Sequence, residues 1–257
     1  MRDHAKKVID PSIMNQKYLI FAGVLCTIAL MLAPLSSAGT RDLRVNCTFH
    51  SPYERFFFRL VQEAGARNSI TVTQHTPPVG RSLIHVNQGI DDGDGPRISG
   101  LENNFSNLVP VPEPFGEFVF GAFARDQSIR IKDWKDLSKL NVAYIHGWKI
   151  FDLHVTAAKS ITKVKNADLL FNLLTNDRAD VVLITKLAGY HMIHERHLKN
   201  IYFLEPPLAV KPNYLYLNKR HEALSSLLAE SLREIKQDGT YAKLFHEIIS
   251  PFLPDKK

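Results

Sequence analysis

Trp134-Lys-Asp-Leu-Ser-Lys-Leu-Asn-Val-Ala-Tyr-Ile-His-Gly147 opens a series of alternating strands and helices. Within it Asn141-Val-Ala-Tyr-Ile145 is a short β-rich apolar run that reads as a buried strand, ending at His146-Gly147-Trp148, where a helix starts. Downstream, Asn166 is placed to cap a helix whose Leu169, Leu170, Leu173 and Leu174 should face inward, and Ala179-Asp-Val-Val-Leu-Ile184 returns as a strand. Short strands alternating with helices mark an α/β protein with mostly parallel sheets.

The same alternation stands upstream. Residues 43–49 alternate as a strand, Ser51-Pro-Tyr-Glu54 is a capping box with proline at the first helical position, and Phe57, Leu60, Val61 and Ala64 follow at helical spacing. Ile70-Thr-Val-Thr73 is the next strand, a short helix covers 81–88, and Gly89-Ile-Asp-Asp-Gly-Asp-Gly-Pro-Arg-Ile98 is a polar, glycine-rich strand end. Pro110-Val-Pro-Glu-Pro114 then closes this series, because each proline removes a donor and restrains its neighbour. The apolar strand 118–124 leads into the second series. Strands at 201–204 and 214–217 are separated by Pro206-Pro207 and Pro212, and the long amphipathic helix 222–236 is closed by Asp238-Gly239 before a last helix at 240–249. Two α/β series imply two lobes, residues 39–117 with 211–257 and residues 118–210, joined by crossover strands near 118–124 and 204–210.

Ahead of both series, residues 18–32 form an apolar run preceded by Lys6, Lys7 and Lys17 and followed by Ser36-Ser-Ala38, the pattern of a cleavable secretory leader over residues 1–38. The run falls short of the ~20 residues a spanning helix needs, and Leu25 before Cys26 argues against a lipoprotein signal. Removing the leader leaves Cys47 alone, so no intramolecular disulfide is expected in an oxidising compartment, and its alternating apolar setting reads as a buried thiol. The formal charge of +6 is dispersed among nearly as many carboxylates, four cations fall in the leader itself, and no nucleic-acid signature is present.

Five stretches in order resemble family 3 of the bacterial extracellular solute-binding proteins, the type II periplasmic binding proteins of amino-acid transporters. They are Gly89-Ile-Asp-Asp92, Pro112-Glu-Pro114, the opening stretch 134–147, Asp177-Arg-Ala-Asp-Val-Val182 and Lys236-Gln-Asp-Gly-Thr-Tyr241, and the resemblance spans about 43–251. It implies two hinged lobes, each a mostly parallel sheet flanked by helices, that close on a small polar or anionic solute and present it to an ABC permease or a membrane sensor, as a monomer without a cofactor. The family's α-carboxylate-binding Arg has no counterpart in Leu101-Glu-Asn-Asn-Phe-Ser106, and its ammonium-binding Asp corresponds to Thr185. An ordinary α-amino acid is therefore not the expected ligand, since a buried charge without a partner is costly.

Candidate ligand residues are His50, Ser51 and Tyr53 at the end of the first strand, Asp94 and Arg97 in the glycine-rich strand end, Gly147 and Trp148 where the second-lobe helix starts, and Thr185. Competing readings make Ser51 a helix cap, Asp94–Arg97 an internal ion pair and Trp148 a core residue. No metal site is read: His191-x-x-His194-x-x-His197 fans around a helix, and Asp91-Asp-Gly-Asp-Gly matches a calcium loop only in part. Rival functions are a periplasmic enzyme of dehydratase type, with Asp94, Glu113 or a cleft histidine as acid or base, and a signalling module without ligand. Amino-terminal sequencing of the exported protein is expected to begin at Gly39; a chain still starting upstream of Tyr18 would contradict the leader.

Overall fold

Leu43 and Val45 turn inward from β1 (Arg41–Asn46) against α1 (Pro52–Ala66), whose Phe56, Phe57, Leu60, Val61 and Ala64 are fully buried. The structure is a computed structural model that describes residues 41–47, 51–78 and 80–254. The expected leader and His50 lie outside the described residues. Helix α1 starts where the chemistry requires: Pro52 needs no donor, and the Glu54 carboxylate accepts the Ser51 backbone N–H at 2.5 Å.

The first half continues with β2 (Ile70–His75), α2 (Ser82–Asn87), β3 (Gly93–Ile98) and β4 (Leu108–Pro110). The second half holds β5 (Gly116–Ala124), β6 (Asn141–Ile145), α3 (Lys149–His154), β7 (Ser160–Val164), α4 (Ala167–Thr175), β8 (Val181–Thr185) and α5 (Lys186–Glu195). Strand β9 (Tyr202–Asn218) then crosses back, and α6 (Glu222–Gln237) and α7 (Thr240–Ile248) pack on α1 with Leu228, Leu232, Ile235 and Leu244 in the first core. The second half's sheet is covered on both faces. One face carries Phe120, Tyr144, Phe151 and Leu183, the other Phe123, Leu170, Phe171, Leu174 and Ile184. Leu169, expected inward, is 44% exposed, because the 100° step of the helix puts Leu170, Phe171 and Leu174 on the buried face instead.

Strand order repeats. The first half reads β2-β1-β3-β9-β4 and the second β7-β6-β8-β5-β9, so each half has three parallel strands followed by an antiparallel crossover strand. Strands β5 and β9 cover the stretches 118–124 and 204–210 expected to cross between lobes, and they pair with each other within one sheet instead of linking two separate sheets. Three features differ from expectation. The antiparallel ladders of β5 and β9 are as extensive as the parallel ones, the expected strand end at 89–98 contains a strand of its own, β3, and the two strands expected at 201–204 and 214–217 are one seventeen-residue strand. Pro206 and Pro207 do not break it. Leu204 pairs with Ala122 and Ala209 with Phe120, so residues 205–208 bulge opposite Gly121, where no ladder donor is needed. The sheet is therefore continuous through both halves. Among the described residues no helix is long and apolar enough to cross a membrane.

Helix α5 can approach β5 only because position 189 is glycine: a Cβ there would enter the ring of Phe123, which is fully buried. Gly189→Ala should overpack this contact at a cost of roughly 1–3 kcal/mol and lower the melting temperature by roughly 2–12 °C. An unchanged midpoint in thermal unfolding would show that the helix can shift freely.

Candidate functional site

The parallel register of β1 and β3 sets Asn46 beside Asp94 at the carboxyl end of β1, both in the interior. Asn46 Nδ2 donates to the Ser82 carbonyl at 3.1 Å, on the first residue of α2. Arg97 Nε donates to Asp94 Oδ1 at 2.5 Å and its Nη2 to Ser82 Oγ at 2.9 Å. These contacts leave Asn46 Oδ1 and Asp94 Oδ2 buried with no hydrogen-bond partner among the described residues. Each such acceptor costs about 1–3 kcal/mol, which makes the spot complementary to a donor-bearing group. Burial works against the Arg97 charge, but the attraction and hydrogen bond of Asp94 outweigh it and hold the guanidinium above its ordinary pKa. Cys47, next along the chain, is a buried thiol whose pKa burial pushes up, as its sequence setting implies.

Other expected residues take other places. Ser51 is the cap of α1. Tyr53 shares the buried face of that helix with Phe56 and Phe57, and its hydroxyl accepts from Asn213 Nδ2 at 2.5 Å instead of facing a cleft. Asn213 pairs with Ile98 across β3 and β9, so Tyr53 braces the strand end that carries Arg97. Burial also raises the Tyr53 phenol, against the hydrogen bond from Asn213. Gly147 is exposed at φ +87°, a left-handed turn that glycine adopts without strain. Trp148 is half-buried, stacked on Phe151 with centroids 5.7 Å apart and edge-on to Phe120. Helix α3 behind it is six residues long with Asp152 in its first turn, a weak base for anion binding. Thr185 ends β8 and precedes α5, half-buried.

Asp94 and Arg97 are thus together as an ion pair, while Gly147, Trp148 and Thr185 belong to the second half. Glu113 is held by Lys236 and by Arg233. His191 and His194 both lie edge-on to Phe252 at 5.1 Å, and burial lowers the His191 pKa. The carboxylates of Asp91, Asp92 and Asp94 turn to separate cationic partners, Arg44, Arg220 and Arg97, rather than around one ion. Asn46 and Ser82 were not legible as site residues. Asn46 closes a strand in which charged and apolar residues alternate, Arg41-Asp-Leu-Arg-Val-Asn46, which does not set it apart, and Ser82 carries no signal of its own.

No family model matches the chain. A relative from Shewanella oneidensis, described as an uncharacterized protein, is 22% identical over 223 residues, covering 82% of this chain and 84% of the relative. Among solved structures, a probable amino-acid ABC transporter extracellular-binding protein from Bacillus subtilis superposes with a TM-score of 0.68 at 17% identity, over 82% of this chain and 98% of that one. The chain has the fold of the type II periplasmic binding proteins. A histidine kinase sensor domain with similarity to periplasmic binding proteins matches equally well, with a TM-score of 0.68 at 15% identity over 82% of this chain and 96% of that one. At these identities the likeness is one of fold. Strands β5 and β9 run side by side between the two halves, and the Asn46–Asp94–Arg97 group lies at the ends of the first half's parallel strands.

Removing the Arg97 side chain should leave the buried Asp94 carboxylate without its cation. Arg97→Ala is expected to lower the stability of the empty protein by roughly 1.5–3 kcal/mol in urea unfolding. Unchanged stability would mean that Asp94 finds another partner.

Proposed function

We propose that the protein is an exported solute-binding protein that captures a small polar or anionic solute between its two halves and presents it to an ABC permease or a membrane sensor. The observation that carries this reading is the pair of buried acceptors without donors, Asn46 Oδ1 and Asp94 Oδ2, beside the guanidinium of Arg97. Open α/β sheets offer ligand sites at the carboxyl ends of parallel strands, where this group lies. The solute supplies a donor to the two acceptors and an acceptor or anionic group to Arg97. Trp148, Gly147 and Thr185 then form the opposing wall from the second half, with the Trp148 ring as a stacking surface. Solved proteins of this fold include both a transporter-type binding protein and a sensor domain, which supports ligand capture for either partner.

Binding is favoured over catalysis because both carboxylates nominated as acid or base are already ion-paired, Asp94 with Arg97 and Glu113 with Lys236. The solute is not an ordinary α-amino acid: residues 101–106 contain no Arg and Thr185 provides no carboxylate for an ammonium group. The protein acts as a monomer. Native mass spectrometry of protein from the exporting cell should reveal a co-purified solute, and calorimetry against the twenty amino acids should give weak binding or none. With the identified solute, Arg97→Ala should lose about ten- to a hundredfold in affinity. Micromolar binding of several amino acids, unaltered in Arg97→Ala, would overturn both the site and the solute class.

A further inference from the structure

A second polar group converges under α2, on residues the solute site does not use. His75 ends β2, His85 lies on α2, and Asp91 stands in the turn before β3. The Asp91 side chain has no exposed surface, while His75 and His85 keep 38% and 21% of theirs. His75 Nδ1 is 3.1 Å from Asp91 Oδ1, His85 Nδ1 is 3.2 Å from Asp91 Oδ2, and ligand atoms of all three residues lie within 4.8 Å of one another. Ligand atoms about 2.0–2.2 Å from a tetrahedral zinc ion are separated by roughly 3.3 Å along each edge, close to these two distances.

Hydrogen bonding leaves part of this convergence unexplained. Asp91 Oδ1 and His75 Nδ1 are buried and 3.1 Å apart, yet neither makes a hydrogen bond of acceptable geometry among the described residues. A buried polar atom without a hydrogen bond calls for an explanation, and an ion held between two such atoms is one that serves both. The frame around them is fixed by the backbone. Ile90 N–H donates to the His85 carbonyl at 2.9 Å, which ties the Asp91 turn to α2, and Cys47 N–H donates to the His75 carbonyl at 3.1 Å, which holds the end of β2.

Arg44 is the opposing influence. Its Nε lies 2.8 Å from Asp91 Oδ1 and its Nη2 donates to the Ile90 carbonyl at 2.6 Å. The guanidinium orients the carboxylate as outer partners of metal ligands do. Its charge also repels a cation, but the side chain is 50% exposed, so water screens that repulsion. Two imidazoles and one carboxylate suit a zinc-like transition ion rather than calcium or magnesium, which prefer oxygen ligands.

We infer that His75, His85 and Asp91 form a binding site for a divalent transition metal of zinc type, with solvent completing the coordination on the exposed side of the two histidines. Occupancy would staple β2, α2 and the Asp91 turn together, and α2 begins with Ser82, which holds Arg97. The inference does not depend on the proposed solute.

The test is titration of the full chain, first stripped with chelator, with Zn²⁺ in calorimetry and with Co²⁺ in visible absorption. One equivalent of either ion should bind with micromolar or better affinity, Co²⁺ should develop the intense bands of low coordination number, and Zn²⁺ should raise the melting temperature. His75→Ala and His85→Ala, on partly exposed side chains, should each weaken that site by more than about tenfold, whereas His194→Ala should leave it unchanged. Asp91→Asn removes the charge but disturbs the Arg44 pair, so the two histidine variants decide the outcome. Absence of binding to the wild-type chain, or binding that survives both histidine variants or is lost in His194→Ala alone, overturns the inference.

Discussion

Strand β9 supplies ladder partners to both halves of the molecule at once. Its carboxyl-terminal part lies between β3 and β4, and its amino-terminal part lies along β5 from Gly116 to Ala124. A buried backbone donor or acceptor without a partner costs as much as a lost hydrogen bond, so neither half can complete its sheet without this strand. The bulge at residues 205–208 is accommodated because β5 offers only Gly121 opposite, and the ring of Phe203 occupies the space a side chain there would need. A crossover that is also a central strand ties the geometry of one half to the other.

The polar strand end follows from the way β3 joins that ladder. Asp94 is paired with Asn46 on one side and Tyr216 on the other, where a carboxylate is tolerated only with a compensating charge. Residues three apart on a regular strand point to opposite faces, which would keep Arg97 away. The register of β3 shifts between Asp94 and Arg97, and that irregularity brings the guanidinium onto the carboxylate. Gly95 permits it, since any side chain there would enter the ring of Phe57 in the first core. One local departure from strand geometry thus produces both an internal ion pair and a partly open cation at the edge of the proposed site.

Arg67 contacts Glu63, Glu234 and Asp238, all substantially exposed, and such pairs contribute little beyond local order. Asp91 and Asp94 sit in the same five-residue stretch with no or almost no exposed side-chain surface, and each has drawn in its own cation.

Hydrophobic period and punctuation determined most of the architecture from the sequence alone. The buried run Asn141–Ile145, the capping box at Ser51 and Glu54, the cap at Asn166 and the amphipathic helix before Asp238-Gly239 are all local signals, each set by residues within one or two turns of chain. The alternation of these elements was enough for an α/β chain with two crossovers. What the sequence could not determine was anything settled by a distant partner. The polar run Gly93–Ile98 is a strand because β1 and β9 flank it, and Pro206-Pro207 stay within β9 because Gly121 lies opposite. Tyr53 lost its expected place to Asn213, 160 residues away, while Asn46 and Ser82 gained theirs from the register of β1 and β3 and from the packing of α2. The group of His75, His85 and Asp91 was invisible for the same reason: strand, helix and turn bring together three residues whose spacing in the chain follows no metal-binding pattern.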